Sequence, residues 1–114
     1  MKVGGNLTFT VNGTLWNLEF VNPSSDYLKR SDFSITLGMT DNNLKTVFIN
    51  NRLDNYMTDK VLCHELTHVY AFEFDYNMDI ETEEIVADFM SLYGRNIIYL
   101  IDDLIQVLKK AYIA

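Results

Sequence analysis

The chain has 114 residues, of which 48% are hydrophobic and 22% charged, and its net charge is −7. This composition is ordinary for a globular protein and argues against disorder, and the length predicts one domain spanning residues 1–114. The acidic charge disfavours nucleic acid and membrane surfaces as partners. Cys63 is the lone cysteine and the N-terminus has no long apolar run, so neither a disulfide nor a signal peptide is expected and we expect a cytoplasmic protein.

The first half of the chain predicts antiparallel β-hairpins, because short apolar runs alternate with polar residues and are separated by turn signals. Asn12-Gly13 lies between two such runs and is the strongest short hairpin signal known. Gly38 is expected to end the third run, and residues 41–43 predict a turn before the fourth. The predicted strands cover residues 7–11, 15–21, 33–37 and 45–49.

The second half predicts helices. Asp54 or Thr58 is suited to cap the first one, and a second helical pattern begins near Ile80. Gly94 is expected to divide this pattern from a third helix at residues 97–112, whose apolar residues recur with a helical period. The chain is therefore predicted to be an α+β protein in which an N-terminal antiparallel sheet precedes a long helix and one or two C-terminal helices.

The sequence HELTH at residues 64–68 carries the clearest chemical signal. Residues four apart project from one helix face, so His64 and His68 can bind a single zinc ion. Glu65 then lies beside the metal without crowding it, where it can remove a proton from a zinc-activated water. We therefore predict that His64 and His68 are metal ligands and that Glu65 is the catalytic general base.

A catalytic zinc ion needs a third protein ligand, and with only two histidines present the candidates are carboxylates. Glu84 and Asp88 are four residues apart on the next predicted helix. Glu84 is the predicted third ligand, and Asp88 is expected to accept a hydrogen bond from the far nitrogen of a ligand histidine. Glu83 and Glu81 remain alternatives for the third ligand.

These two helices resemble the gluzincin pattern, in which H-E-x-x-H is followed on the next helix by E-x-x-x-D. Glu84, Ala87 and Asp88 also follow the order found in short metallopeptidase domains of the ImmA/IrrE type, which phages and other mobile elements often carry. More distantly, the chain is similar to SprT-like domains, although it lacks their zinc-ribbon cysteines. The resemblance implies a small zincin-like fold, a zinc cofactor, and hydrolysis of a peptide bond in a protein or peptide substrate.

Two other functions are compatible with the sequence. The chain could be a zinc-containing binding or inhibitory module with little proteolytic turnover, although such a module would not need Glu65. It could also be a metal-free domain in which the motif is accidental. The sequence leaves the oligomeric state open, because the apolar last helix could pack on its own domain or form a dimer face.

Overall fold

The computed structural model describes residues 6–113, and it has a four-stranded sheet followed by two helices. This arrangement confirms the predicted α+β class. Residues 1–5 of the N-terminal stretch considered above, and Ala114, lie outside the described residues. The elements are β1 (Asn6–Val11), β2 (Thr14–Val21), a 3-10 turn (Asp26–Leu28), β3 (Gly38–Asp41), β4 (Thr46–Asn50), α1 (Asn55–Glu73), α2 (Ile80–Leu108) and a terminal π-helical turn (Lys109–Ile113).

The first hairpin forms as the Asn-Gly signal predicts. β1 and β2 pair antiparallel, with Val11 opposite Thr14, so the loop contains only Asn12 and Gly13. Both loop residues have positive φ angles, 49° and 81°. Positive φ at both central positions defines the tight turn whose twist matches that of the flanking strands, and Asn followed by Gly adopts it most readily.

The sheet is mixed, and the prediction of a purely antiparallel sheet was wrong in this respect. The strand order is β1-β2-β4-β3, and β4 runs parallel to β2 while it pairs antiparallel with β3. All five residues of β4 are buried. A strand buried on both faces is suited to the centre of a sheet, which places β3 rather than β4 at the edge.

The third predicted strand, residues 33–37, was also wrong. Within it only Ile35 forms an isolated bridge, and β3 begins at Gly38, the residue expected to end the strand. The segment is a loop because Phe33 has a φ angle of 68° and the Asp32 carboxylate accepts hydrogen bonds from the backbone and hydroxyl of Ser34. Local side-chain acceptors of this kind compete with strand pairing.

Both helices begin at aspartate caps. The Asp54 side chain accepts a hydrogen bond from the Met57 amide, which confirms Asp54 rather than Thr58 as the first cap. The Asp79 side chain accepts one from the Thr82 amide at the start of α2. Each cap satisfies an amide that has no partner within its helix.

Gly94 does not divide α2, and the predicted boundary there was wrong. One glycine costs a helix only about 1 kcal/mol, which cooperative hydrogen bonding on both sides offsets. Gly94 is buried, and the nearest atom that a Cβ at this position would meet, at 2.9 Å, is the terminal methyl of the flexible Met90 side chain, which can move aside. Within residues 6–113, no helix is both long enough and apolar enough to cross a membrane.

The main core lies between one face of the sheet and α1. Alternate residues of the two central strands point to this face, as the two-residue period of a strand requires. The fully buried Trp16 and Val69 show that the sheet and α1 exclude water from one another. The buried members of this core are Val11, Trp16, Leu18, Val47, Ile49 and Val69.

At the C-terminal end of α1, Glu73 contacts residues at the β1–β2 turn and at the β3–β4 turn of the sheet. The Trp16 indole N–H donates to the Glu73 carboxylate at 2.7 Å, and the Lys45 ammonium lies 3.1 Å from the same oxygen. The Asn12 side-chain amide donates to the Glu73 carbonyl. The hydrogen bond from Trp16, followed by the one from Lys45, lowers the pKa of the Glu73 carboxyl below its ordinary value of 4.5.

This lowered pKa predicts a loss of stability in acid. The contribution of Glu73 is present above the ordinary glutamate pKa and is lost as the pH falls through the lower folded-state pKa, because protonation then removes its charge. A Glu73→Gln chain should be less stable than the parent at pH 7 and should lose less stability below about pH 4.5. Urea unfolding across this range measures the difference, with the exposed Glu81→Gln variant as control. Parallel stability curves for the Glu73→Gln and parent chains would contradict the assignment.

Candidate metal centre

Two antiparallel helices build the candidate site. Near one end of their contact, the Arg95 guanidinium of α2 binds the Asp59 carboxylate of α1, with Nε 3.0 Å from an oxygen. Near the other end, His68 of α1 binds Glu83 of α2. The numbering rises along one helix as it falls along the other, so residues one turn apart on α1 face residues about one turn apart on α2.

The structure brings the three predicted ligands into one group. The Nε2 atoms of His64 and His68 each lie 3.1 Å from a different oxygen of Glu84. One donor atom from each of these residues lies within 4.8 Å of the other two, so the group could hold a metal ion. Glu84 is therefore centred between the two imidazoles, as a shared third ligand requires.

The outer nitrogen of each imidazole faces a carboxylate. His64 Nδ1 lies 3.0 Å from Asp88, and His68 Nδ1 lies 2.6 Å from Glu83. An imidazole that donates from Nδ1 keeps the lone pair of Nε2 free for a metal, and such carboxylate partners also orient the ring. Two imidazole nitrogens with one carboxylate are a donor set that suits zinc, so the residues present fit the predicted cofactor.

The alternatives for the third ligand lie elsewhere. Glu81 is exposed in the first turn of α2, whereas Glu83 is buried and directed to the outer side of His68. Sequence reasoning missed this role of Glu83. A sequence signal for this role existed. His68 lies one turn after His64, and in antiparallel helices its partner should lie about one turn before Asp88, which is where Glu83 lies.

Glu65 is held beside this group by the edge strand β3. Its carboxylate accepts a hydrogen bond from the Thr40 hydroxyl at 2.8 Å, and its side chain is buried. Burial raises the pKa of the Glu65 carboxyl, and the hydrogen bond from Thr40 opposes this effect. No local sequence pattern indicates Thr40, because its role depends on how β3 is placed against α1.

Gly38 explains how β3 comes so close to α1. A Cβ at this position would lie 2.6 Å from a methyl of Val61, closer than real Cβ atoms approach, and would make a tight 3.0 Å contact with Cγ of Glu65. Val61 is β-branched and cannot easily turn away. The absence of a side chain at Gly38 therefore allows the strand to approach the helix, and Thr40 follows two residues later on the same strand.

The site opens into a cleft of about 1000 Å³. β3 and its preceding loop line one wall, and the helices line the other. Arg95 of α2 binds Asp59 and the hydroxyl of Tyr99. Thr40 on the edge strand β3 binds Glu65, so the cleft wall beside Glu65 is the edge of the sheet.

No protein-family model matches this chain, and comparisons with curated proteins and with solved structures find no match either. The resemblance to gluzincins and to ImmA/IrrE-type domains therefore stays a prediction from the motif residues. The geometry described above stands independently of it.

Zinc content tests the ligand set directly. We expect about one zinc ion per chain, and we expect Glu84→Ala to weaken binding by more than about 100-fold, which exceeds the usual cost of losing an outer partner. Metal analysis and competition with a chelator measure both quantities, with Glu81→Ala as the matched control. Equal zinc affinity in the Glu84→Ala and Glu81→Ala chains would exclude Glu84 as a ligand.

The two outer carboxylates should differ in importance. The Glu83 side chain is only 9% exposed, whereas that of Asp88 is 68% exposed, so water can replace Asp88 more easily. We expect Glu83→Ala to weaken zinc binding by about 10–100-fold and Asp88→Ala to have a smaller effect. Chelator competition at constant pH measures the order, and a larger loss in the Asp88→Ala chain would contradict it.

Proposed function

We propose that this chain is a zinc-dependent metallopeptidase that cleaves a peptide bond in a specific protein substrate. The observation that carries the proposal is the position of Glu65. A buried carboxylate, held by Thr40, adjoins the group formed by His64, His68 and Glu84. A site that only stabilised the fold would need the metal ligands but not this additional carboxylate.

The chemistry divides between the ligands and Glu65. Zinc, when bound by His64, His68 and Glu84, would supply a Lewis acid that polarises the substrate carbonyl and makes a water more acidic. Glu65 accepts the proton of the attacking water and then delivers it to the nitrogen of the departing amine. Thr40 is a positioning residue, because its hydroxyl restricts the orientation of the Glu65 carboxylate.

The proposed substrate is an extended polypeptide. β3 is an edge strand and lies in the wall of the cleft, so one side of its backbone is not paired within the sheet. An extended peptide can add to such an edge through backbone hydrogen bonds, and this would place its peptide bonds along the wall that holds Glu65. A partner of this kind and a cytoplasmic location are parts of the same proposal.

Glu65→Gln tests the activity. The amide cannot accept the proton, so we expect cleavage of a proteome-derived peptide library to fall by about 10²–10⁴-fold while zinc content and fold are retained. Mass spectrometry of new termini measures cleavage, and the zinc-loaded Glu81→Gln chain is the control. Thr40→Val should reduce the rate without abolishing it, because Glu65 is then less well oriented.

The same experiment distinguishes the alternative function. A zinc-loaded parent chain that cleaves nothing in the library would favour a binding or inhibitory module. Cleavage that persists unchanged in the Glu65→Gln chain would show that another group, or a contaminating peptidase, is responsible.

A further inference from the structure

The second half of α2 exposes a large apolar surface that lies outside the lining of the cleft. We call residues 97–111 the extension. Ile98, Leu100 and Leu104 are each more than half exposed, and Ile97, Ile101, Ile105 and Leu108 are 40–45% exposed. The molecule measures 55 Å along its longest axis but only 33 and 26 Å along the others.

The apolar residues of the extension form one continuous face. Positions 97, 101, 104 and 108 follow the alternating spacing of four and three residues that defines the seam of paired helices. Further apolar residues flank this seam on both sides, and the charged residues lie on the opposite half of the helix. The flanking apolar residues are Ile98, Leu100, Ile105 and Val107, and the charged ones are Asp102, Asp103, Lys109 and Lys110.

This seam continues the contact that already joins α1 to α2. The buried residues of α2 are Glu83, Ala87 and Gly94, and with Met90 they have the same four-three spacing. Three residues after Gly94 the pattern proceeds to Ile97. The antiparallel helix α1 begins at Asn55, near this point, because Asp59 one turn later binds Arg95.

We propose that a second copy of this chain covers the extension, with the two extensions packed antiparallel about a twofold axis between Leu104 and Leu108. In this arrangement the extension of each copy packs antiparallel against the seam of the other copy, beyond the point at which α1 begins to cover it. Leu104 of one copy packs against Leu108 of the other, and Ile101 packs against Ala111. The contact is self-complementary, as a twofold dimer requires.

The available area fits a dimer. Eight large aliphatic residues of the extension are each about half exposed. Together they offer on the order of 700 Å² of apolar surface, close to the roughly 800 Å² that each partner buries in a stable interface of standard size. A lipid surface suits this helix less well, because amphipathic membrane helices have polar faces rich in cations and this chain has a net charge of −7.

Oligomeric mass tests the proposal. Light scattering after size-exclusion chromatography should give twice the 13.3-kDa mass of the chain. Leu104→Glu places a charge in the seam of each copy and should weaken dimerisation by at least about 100-fold. Gln106→Glu adds the same charge on the polar face and should leave the dimer intact. Circular dichroism verifies that both variants fold, and Leu104→Ala replaces Leu104→Glu if that chain does not.

Three outcomes would overturn the proposal. The first is a monomeric parent chain, whether or not it also sediments with phosphatidylcholine vesicles. The second is a polydisperse aggregate, and the third is an equal response of the Leu104 and Gln106 variants.

The orientation has its own test in a Cys63→Ala background. Leu104→Cys chains mixed with Leu108→Cys chains should form mixed disulfides, whereas disulfides only within each population would contradict antiparallel pairing.

Discussion

The antiparallel contact between α1 and α2 is the constraint on which the candidate site depends. His64 and His68 are one turn apart on α1, and α2 presents carboxylates about one turn apart to meet them. Glu84 lies between the two imidazoles, so it can be shared, while Glu83 and Asp88 reach the outer nitrogens. A shift of one helix along the other by a single turn would separate all of these pairs at once, because each depends on the same alignment.

The sheet contributes a further component of the site, the Thr40 hydroxyl, and also fixes α1. Gly38 allows β3 to approach the helix, and Thr40 on that strand binds Glu65. At the far end of the helix, Trp16 and Lys45 hold Glu73. Because the sheet restrains α1 at both of these points, contacts with the sheet set the orientation of α1 over the core without a contribution from α2. The predicted metal ligands on α1 are therefore carried by a helix that contacts with the sheet hold in place.

The sequence predicted those features that depend on local spacing. The Asn12-Gly13 turn, the Asp54 cap and the two histidines of the motif are each encoded within a few residues. The features it did not predict depend on contacts between distant segments. β4 is buried on both faces and lies between β2 and β3, parallel to β2, and the role of Thr40 depends on the position of an edge strand. The helix boundary predicted at Gly94 was wrong for the opposite reason, since the local cost of one glycine is small beside the cooperativity of a long helix.

The Asn12-Gly13 turn has a consequence for the lifetime of the protein. Asparagine followed by glycine is the pair most prone to spontaneous loss of the side-chain amide, because the small neighbour lets the backbone nitrogen attack it. Here the Asn12 amide donates to the Glu73 carbonyl at the end of α1. Conversion to aspartate would replace this donor with an acceptor and add a negative charge beside an acidic residue. Chemical ageing of a surface turn would thus loosen the C-terminal anchor of the helix that carries both histidines.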